Sequence, residues 1–290
     1  MALTPSGERG PRTGGRGMAE PVPHVRANGV RFFVQHLGGG ETTAVFVHGL
    51  VMDNLSSWWY TVATAAARRA EVVCYDLRGH GLSERPVSGY AVADSVADLL
   101  GVLDALGVTR PVHLVGNSYG GVVALAAAVT HPKRVASLVL VEAHAAVAGR
   151  VQPEPAKLAE GLDLAGALLD DADVRRWVDT VAGRKLTRMA ATARELLFGC
   201  TLVDDLRHSP PFTEQQLAGI RQPTLLVYGE RSDIFDRAEL LAHLLPAARL
   251  EVVPGCDHTV LMSGRAAVRR LVLDWLAERG DEPGDEPGVA

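Results

Sequence analysis

Four short stretches hold residue types that together could activate a serine. The first, Gly116-Asn117-Ser118-Tyr119-Gly120, follows an apolar run and opens a small-residue stretch that reads as a helix. A serine on a sharp strand-to-helix turn, with glycines two before and two after it, is held clear of its neighbours beside exposed helix N–H groups. A glycine-rich turn with a capping serine is the plainer alternative, and the strand before and helix after argue against it. The second stretch, His48-Gly49-Leu50-Val51, ends another apolar run. Attack on an acyl carbon creates an oxyanion that needs two fixed N–H donors. The amides of Leu50 and Tyr119 are expected to supply them, with His48 itself a structural turn residue.

A serine hydroxyl is a poor nucleophile until a base takes its proton, and histidine is the natural base near neutrality. Ten histidines compete. His80 lies in a glycine-rich turn, His113 inside a strand, His131 before a proline and His144 at a strand end. His258, in the third stretch Gly255-Cys256-Asp257-His258, follows the final strand and is the expected base. The base in turn needs a carboxylate to fix its tautomer. Asp233, in the fourth stretch Tyr228-Gly229-Glu230-Arg231-Ser232-Asp233, is expected in that role. Glu142, at the tip of the strand Val135–Val141, is the alternative; Glu230 and Asp236 read as surface or cap residues.

The elements that must position these groups can be read from periodicity. Val22–Ala27 and Val30–Leu37 flank Asn28-Gly29, a two-residue hairpin signal. Short apolar strands are expected at Ala44–Val47, Glu71–Tyr75, Pro111–Val115, Val135–Val141, Thr224–Tyr228 and Leu250–Val253. Helices are expected at Leu55–Arg69, Ala91–Leu106, Tyr119–Thr130, Arg237–Leu245 and Gly264–Arg279. Alternating apolar strands and helices imply a mostly parallel sheet covered on both faces, an α/β class. From His144 to Ile220 only helix-like stretches occur, among them Leu158–Leu169, Val174–Val181 and Thr187–Phe198. The expected organisation is a disordered leader over 1–20, a core built from 21–143 and 221–279, a helical cap over 144–220, and a disordered acidic tail over 280–290.

Composition excludes several classes. The 290 residues are 47% hydrophobic and 22% charged, which fits a folded globular chain. The formal charge of −5 owes four units to Asp281, Glu282, Asp285 and Glu286 in the tail, so the body is near neutral and offers nothing for nucleic acid or an anionic membrane. No apolar run is long enough to span a bilayer. Cys74, Cys200 and Cys256 are too few and scattered for a disulfide framework or a zinc site, and no metal or nucleotide motif is present. With no apolar signal segment near the N-terminus, the expectation is a cytoplasmic protein without a cofactor. Asp204-Asp205 and Asp170-Asp171 read as solvated surface.

With these motifs in place, the sequence resembles the α/β-hydrolase superfamily from about Pro21 to Arg279. The order Ser118…Asp233…His258 is the order of that fold. Asp76-Leu77-Arg78-Gly79-His80-Gly81-Leu82-Ser83 resembles its D-x-R-G-x-G-x-S loop, which the resemblance makes structural and places at the pocket mouth. The resemblance implies an α/β-hydrolase fold with a helical cap. It also sorts the chemistry: members with Asp or Cys as nucleophile are disfavoured by Ser118, leaving esterases, lipases, thioesterases, C–C bond hydrolases, perhydrolases and hydroxynitrile lyases. The stretch from His48 to Trp59 is similar to discrete hydrolases and thioesterases of bacterial polyketide pathways. The activity this resemblance implies is hydrolysis of an ester or thioester, free or presented by a carrier protein. The alternatives are a C–C bond hydrolase of a β-diketone-like substrate using the same residues, and a noncatalytic ligand-binding member of the fold. Val51, Met52, Trp58, Trp59 and Phe198 are the expected substrate-binding residues, with Trp177, Met189, Leu196 and Leu197 further cap candidates. Such residues at helical spacing also serve as plain core.

Overall fold

The computed structural model describes residues 24–143, 145–150, 162–163, 166–167, 170–172 and 184–280. The expected leader, the tail beyond Gly280, Trp177, His144 and most of the two helices expected over 158–169 and 174–181 lie outside them.

The hairpin forms where Asn28-Gly29 demands it. Strands β1 (His24–Ala27) and β2 (Val30–Leu37) pair antiparallel across Asn28 and Gly29, whose φ angles of 49° and 77° suit a tight turn. Six further strands follow: β3 (Thr43–Val47), β4 (Glu71–Tyr75), β5 (Val112–Asn117), β6 (Val135–Val141), β7 (Thr224–Gly229) and β8 (Ala248–Val253). The sheet runs β1-β2-β4-β3-β5-β6-β7-β8, antiparallel through β2·β4 and parallel from β4 to β8.

Alternation along the strands divides the core in two. In β3, Val45 and Val47 join one cluster, while Ala44 and Phe46 join the other. The first cluster is covered by α3 (Val92–Ala105), α4 (Tyr119–Thr130) and α8 (Phe235–Leu244). The second is covered by a helical run over 56–66 and by α10 (Arg265–Gly280), which follows the short α9 (Val260–Ser263). The run over 56–66 is α1 (Ser56–Trp58) and α2 (Thr64–Ala66) joined by a π-helical turn at Trp59–Ala63. Covering both faces explains why β3, β6 and β7 read as predominantly apolar runs.

Between β6 and β7 the described residues form α5 (Arg184–Phe198), α6 (Leu202–His208) and α7 (Glu214–Ala218), with one bridge between Val147 and Phe212. The sequence signals only the first of these. Helix α6 is fastened to the core: Asp205 accepts from the amide of Tyr90 at 2.8 Å and from the Thr201 hydroxyl, and Ser209 Oγ accepts from Val92 N–H at 3.2 Å. Asp205 is therefore a structural acceptor, not the solvated surface residue expected; Asp204 is exposed. No helix of the described residues is long and apolar enough to cross a membrane.

Candidate active site

Strand β5 delivers Ser118 into a turn with φ 52° and ψ −114° before α4 begins. Such a conformation is costly for a residue with a Cβ and persists only where the surroundings enforce it. Here the glycines do so by being side-chainless. A Cβ on Gly116 would lie 2.3 Å from the Gly120 carbonyl oxygen, and one on Gly120 would lie 2.2 Å from the carbonyl oxygen of Val47. Ser118 N–H donates to the Val141 carbonyl of the neighbouring strand at 2.8 Å. Two other non-glycine residues with positive φ stand at strand ends nearby: Val51 at 63° and Glu142 at 50°.

The loop after β3 is shaped by buried histidines. His48 places Nδ1 2.6 Å from the Gly49 carbonyl, and its Nε2 accepts from Leu77 N–H at 3.0 Å. His80 Nε2 accepts from Val51 N–H at 2.8 Å, with Nδ1 2.8 Å from the Arg78 carbonyl. Burial, then the neighbouring His48, pushes His80 down to about 3, so it is a neutral acceptor. Asp53 takes the N–H of Gly49 at 2.8 Å. The loop thus uses the amides of Gly49, Val51 and Met52 internally, the last on the Leu50 carbonyl at 2.8 Å. The Leu50 amide takes no part in these bonds, and Tyr119, first residue of α4, has its N–H outside the intrahelical ladder. Both amides are available as donors beside the elbow.

The base and its carboxylate are 116 residues apart in the sequence. His258 follows β8 and places Nδ1 3.0 Å from Glu142 Oε2. Glu142 is fully buried, and its two oxygens are occupied: Oε1 accepts from Gly229 N–H at 2.6 Å, while Oε2 also accepts from the Ser232 hydroxyl at 2.6 Å. The carboxylate joined to His258 is therefore Glu142, not Asp233. Asp233 is exposed on the turn before α8, and no hydrogen bond joins it to His258. The loop after β7 contributes Ser232, one residue earlier, as a donor to the carboxylate. An Nδ1–H held by a carboxylate makes Nε2 the basic nitrogen of the ring. A serine in a strained elbow, a carboxylate-oriented imidazole and two backbone donors are the parts that acyl transfer requires.

The loop after β4 is the scaffold the sequence suggests. Asp76, itself buried, accepts from the amides of Leu55 and Leu82, each at 2.8 Å, and burial raises its pKa. A cavity of about 840 Å³ opens beside it, between Val51, Met52, Leu82, Met189 and the Leu261–Met262 step beyond His258. Val51 and Met52 thus line this cavity. Trp58, Trp59 and Phe198 do not. Trp58 is fully buried under the sheet, donating Nε1–H to the Val47 carbonyl at 3.0 Å and packing on Phe46 at 5.5 Å. Trp59 packs against the same cluster. Phe198 is exposed, with Arg194 over its ring at 5.6 Å. Helical spacing carries the reason: Trp58, Val62 and Ala66 fall on one face and belong to the core. Among the described residues no group of three or more His, Cys, Asp or Glu side chains is arranged to hold a metal ion.

Known proteins resemble this chain in sequence and in fold. Residues 44–271 match the model of the alpha/beta hydrolase family. The chain is 31% identical over 275 residues to 2-hydroxy-6-oxo-2,4-heptadienoate hydrolase of Pseudomonas putida, covering 87% of this chain and 95% of that one. It is 32% identical over 252 residues to the polyketide synthase ThaQ of Burkholderia thailandensis, covering 83% of this chain but 12% of that much longer protein. The enol-lactonase of Burkholderia xenovorans superposes with a TM-score of 0.69 at 24% identity, covering 88% of this chain and all of its own. The chain belongs to the alpha/beta hydrolase family, and it is an enzyme of that family acting on small molecules.

Proposed function

We propose that this hydrolase cleaves a carboxylic ester or thioester of a mostly apolar acyl group through an acyl-enzyme on Ser118. The observation that carries the reading is the His258–Glu142 pair, whose carboxylate ends the strand next to the one that delivers a serine at positive φ. His258 Nε2 takes the Ser118 proton as Oγ bonds to the acyl carbon. Glu142 holds the Nδ1–H and stabilises the imidazolium. The Leu50 and Tyr119 amides bind the oxyanion. The tetrahedral adduct collapses, breaking the bond to the leaving oxygen or sulfur, which receives the proton from His258. Water then repeats the sequence, with His258 as base, and releases the acid and Ser118.

A fluorophosphonate tests the reading directly. One covalent adduct per chain by intact mass, located on Ser118 and absent from Ser118→Ala, is expected. Turnover of an acyl ester that survives Ser118→Ala overturns it. The similarity to 2-hydroxy-6-oxo-2,4-heptadienoate hydrolase favours a second reading, C–C bond hydrolysis of a β-diketone-like substrate by the same residues. A kcat/KM for such a ketone well above that for any acyl ester or thioester would select it.

A further inference from the structure

Asp53 holds a carboxylate close to the nucleophile. Its Oδ2 accepts from Gly49 N–H and its Oδ1 from Asn54 N–H, each at 2.8 Å, so backbone donors fix both oxygens. Gly49 is buried between the loop after β3 and the elbow, and has no side chain to keep the two apart. The position that a Cβ on Gly49 would take lies 3.2 Å from Asp53 Oδ2 and 3.5 Å from Ser118 Cβ. The carboxylate oxygen and the serine Cβ are therefore within about 7 Å of each other. Asp53 and Ser118 are both half-buried, so each keeps a face open to a ligand.

The charge of this carboxylate is not spent on a cation. An aspartate carries a full negative charge at neutral pH. The arginines of the loop after β4 are engaged elsewhere: Arg78 with the buried Asp98 at 2.5 Å, and Arg85 with Glu195. Among the described residues that line the cavity of about 840 Å³, two are carboxylates, Asp53 and the buried Asp76, and one is a cation, the exposed Arg265. Two amide donors orient Asp53 without neutralising it, and its field reaches the serine.

We propose that Asp53 is a specificity-determining residue that selects substrates by charge: it favours an ester or thioester with a cationic group a few atoms from the scissile carbonyl, and disfavours one with an anion there. The inference deepens the acyl-transfer reading and rests on Ser118 being the nucleophile. An acyl carbon bonded to Ser118 Oγ stands a few bond lengths from the Asp53 carboxylate. A substrate charge near that carbon then lies where Coulomb energy in a half-buried site exceeds thermal energy. The selection comes from charge, so salt weakens it.

The experiment compares acetylthiocholine with 3,3-dimethylbutyl thioacetate, which share acyl group and shape and differ in a cationic nitrogen that replaces a carbon. The readout is the ratio of their kcat/KM values. Any damage that a substitution does to the oxyanion loop, and any intrinsic difference between the leaving thiols, is common to both sides of that comparison. Asp53→Asn should lower the ratio about tenfold at 0.01 M ionic strength, a screening length of about 30 Å. The wild-type ratio should fall by a similar factor at 1 M salt, about 3 Å, while the Asp53→Asn ratio stays flat. Should that variant fail to fold, the wild-type salt series decides, and a flat series overturns the proposal. A ratio unchanged by Asp53→Asn also overturns it, with the ester reading intact. If a fluorophosphonate labels Ser118 but neither thioester turns over, the same ratio is read from the labelling rates of a diethyl phosphorothiolate of thiocholine and its 3,3-dimethylbutyl analogue. No turnover and no label on Ser118 would sink the ester reading and the charge selection with it.

Discussion

Asp76 after β4 and Glu142 after β6 are both carboxylates buried at strand ends of one sheet, yet their surroundings differ. Asp76 accepts two backbone amides and stands beside the buried His48–His80 pair, whose rings lie 5.2 Å apart. Each ring nitrogen in that pair has a backbone partner. Glu142 accepts one amide and one hydroxyl, and spends its remaining capacity on His258, about a third of whose side chain is exposed. The first cluster is closed and shapes a loop. The second reaches the surface through an imidazole and can pass a proton. A buried polar cluster becomes chemistry when one member opens toward substrate.

The comparison can be broken at either cluster. Ser118→Ala should cost the most activity, on the order of 10⁴-fold or more in kcat, with little change in Tm by calorimetry. Glu142→Gln should lower kcat on the order of 10³–10⁴-fold, because the amide no longer fixes the imidazole tautomer, while Asp233→Asn stays within about twofold. A larger loss in Asp233→Asn than in Glu142→Gln would reverse the assignment of the carboxylate. Ser232→Ala removes one donor from Oε2 and should cost about tenfold in kcat, less than losing the carboxylate itself.

In the closed cluster the effect should fall on stability instead. His80 has a folded pKa of about 3, depressed from 6.5, so the unfolded chain binds its proton more tightly. The stability it contributes is present above pH 6.5 and is lost as pH falls from there toward about 3. Tm measured across that range should decline, and His80→Gln should lower Tm at neutral pH while flattening the decline. An unchanged acid slope in that variant would mean that other groups carry it.

The elements around the serine were legible because their constraints are local. An apolar strand, a glycine-flanked serine and a small-residue helix specify the elbow, and α4 spans the residues that the sequence marks. The carboxylate was harder. Loop order after β7 points to Asp233, but Glu142 ends an unbroken apolar run, and an ionisable side chain there needs a buried partner to remain charged. That cost is the signal that favours it. Trp58 and Trp59 follow the loop after β3 in sequence but fold under the sheet, as their phase with Val62 requires. Helices α6 and α7 are short, and tertiary ties such as Tyr90 to Asp205 hold α6, so no local pattern announces it.

The bond from Ser118 N–H to the Val141 carbonyl sets an order in which heat disables the enzyme. Nucleophile and carboxylate stand on adjacent strands in the middle of the sheet, on either side of that bond, and share its rigidity. The base hangs from the loop after β8, an edge strand, among the exposed Pro254, Gly255, Asp257 and Thr259. Warming is expected to loosen that loop before the sheet, so turnover should peak below the melting temperature and return on cooling. In amide exchange, Ser118 should be among the slowest sites, and the exposed residues flanking His258 should exchange faster.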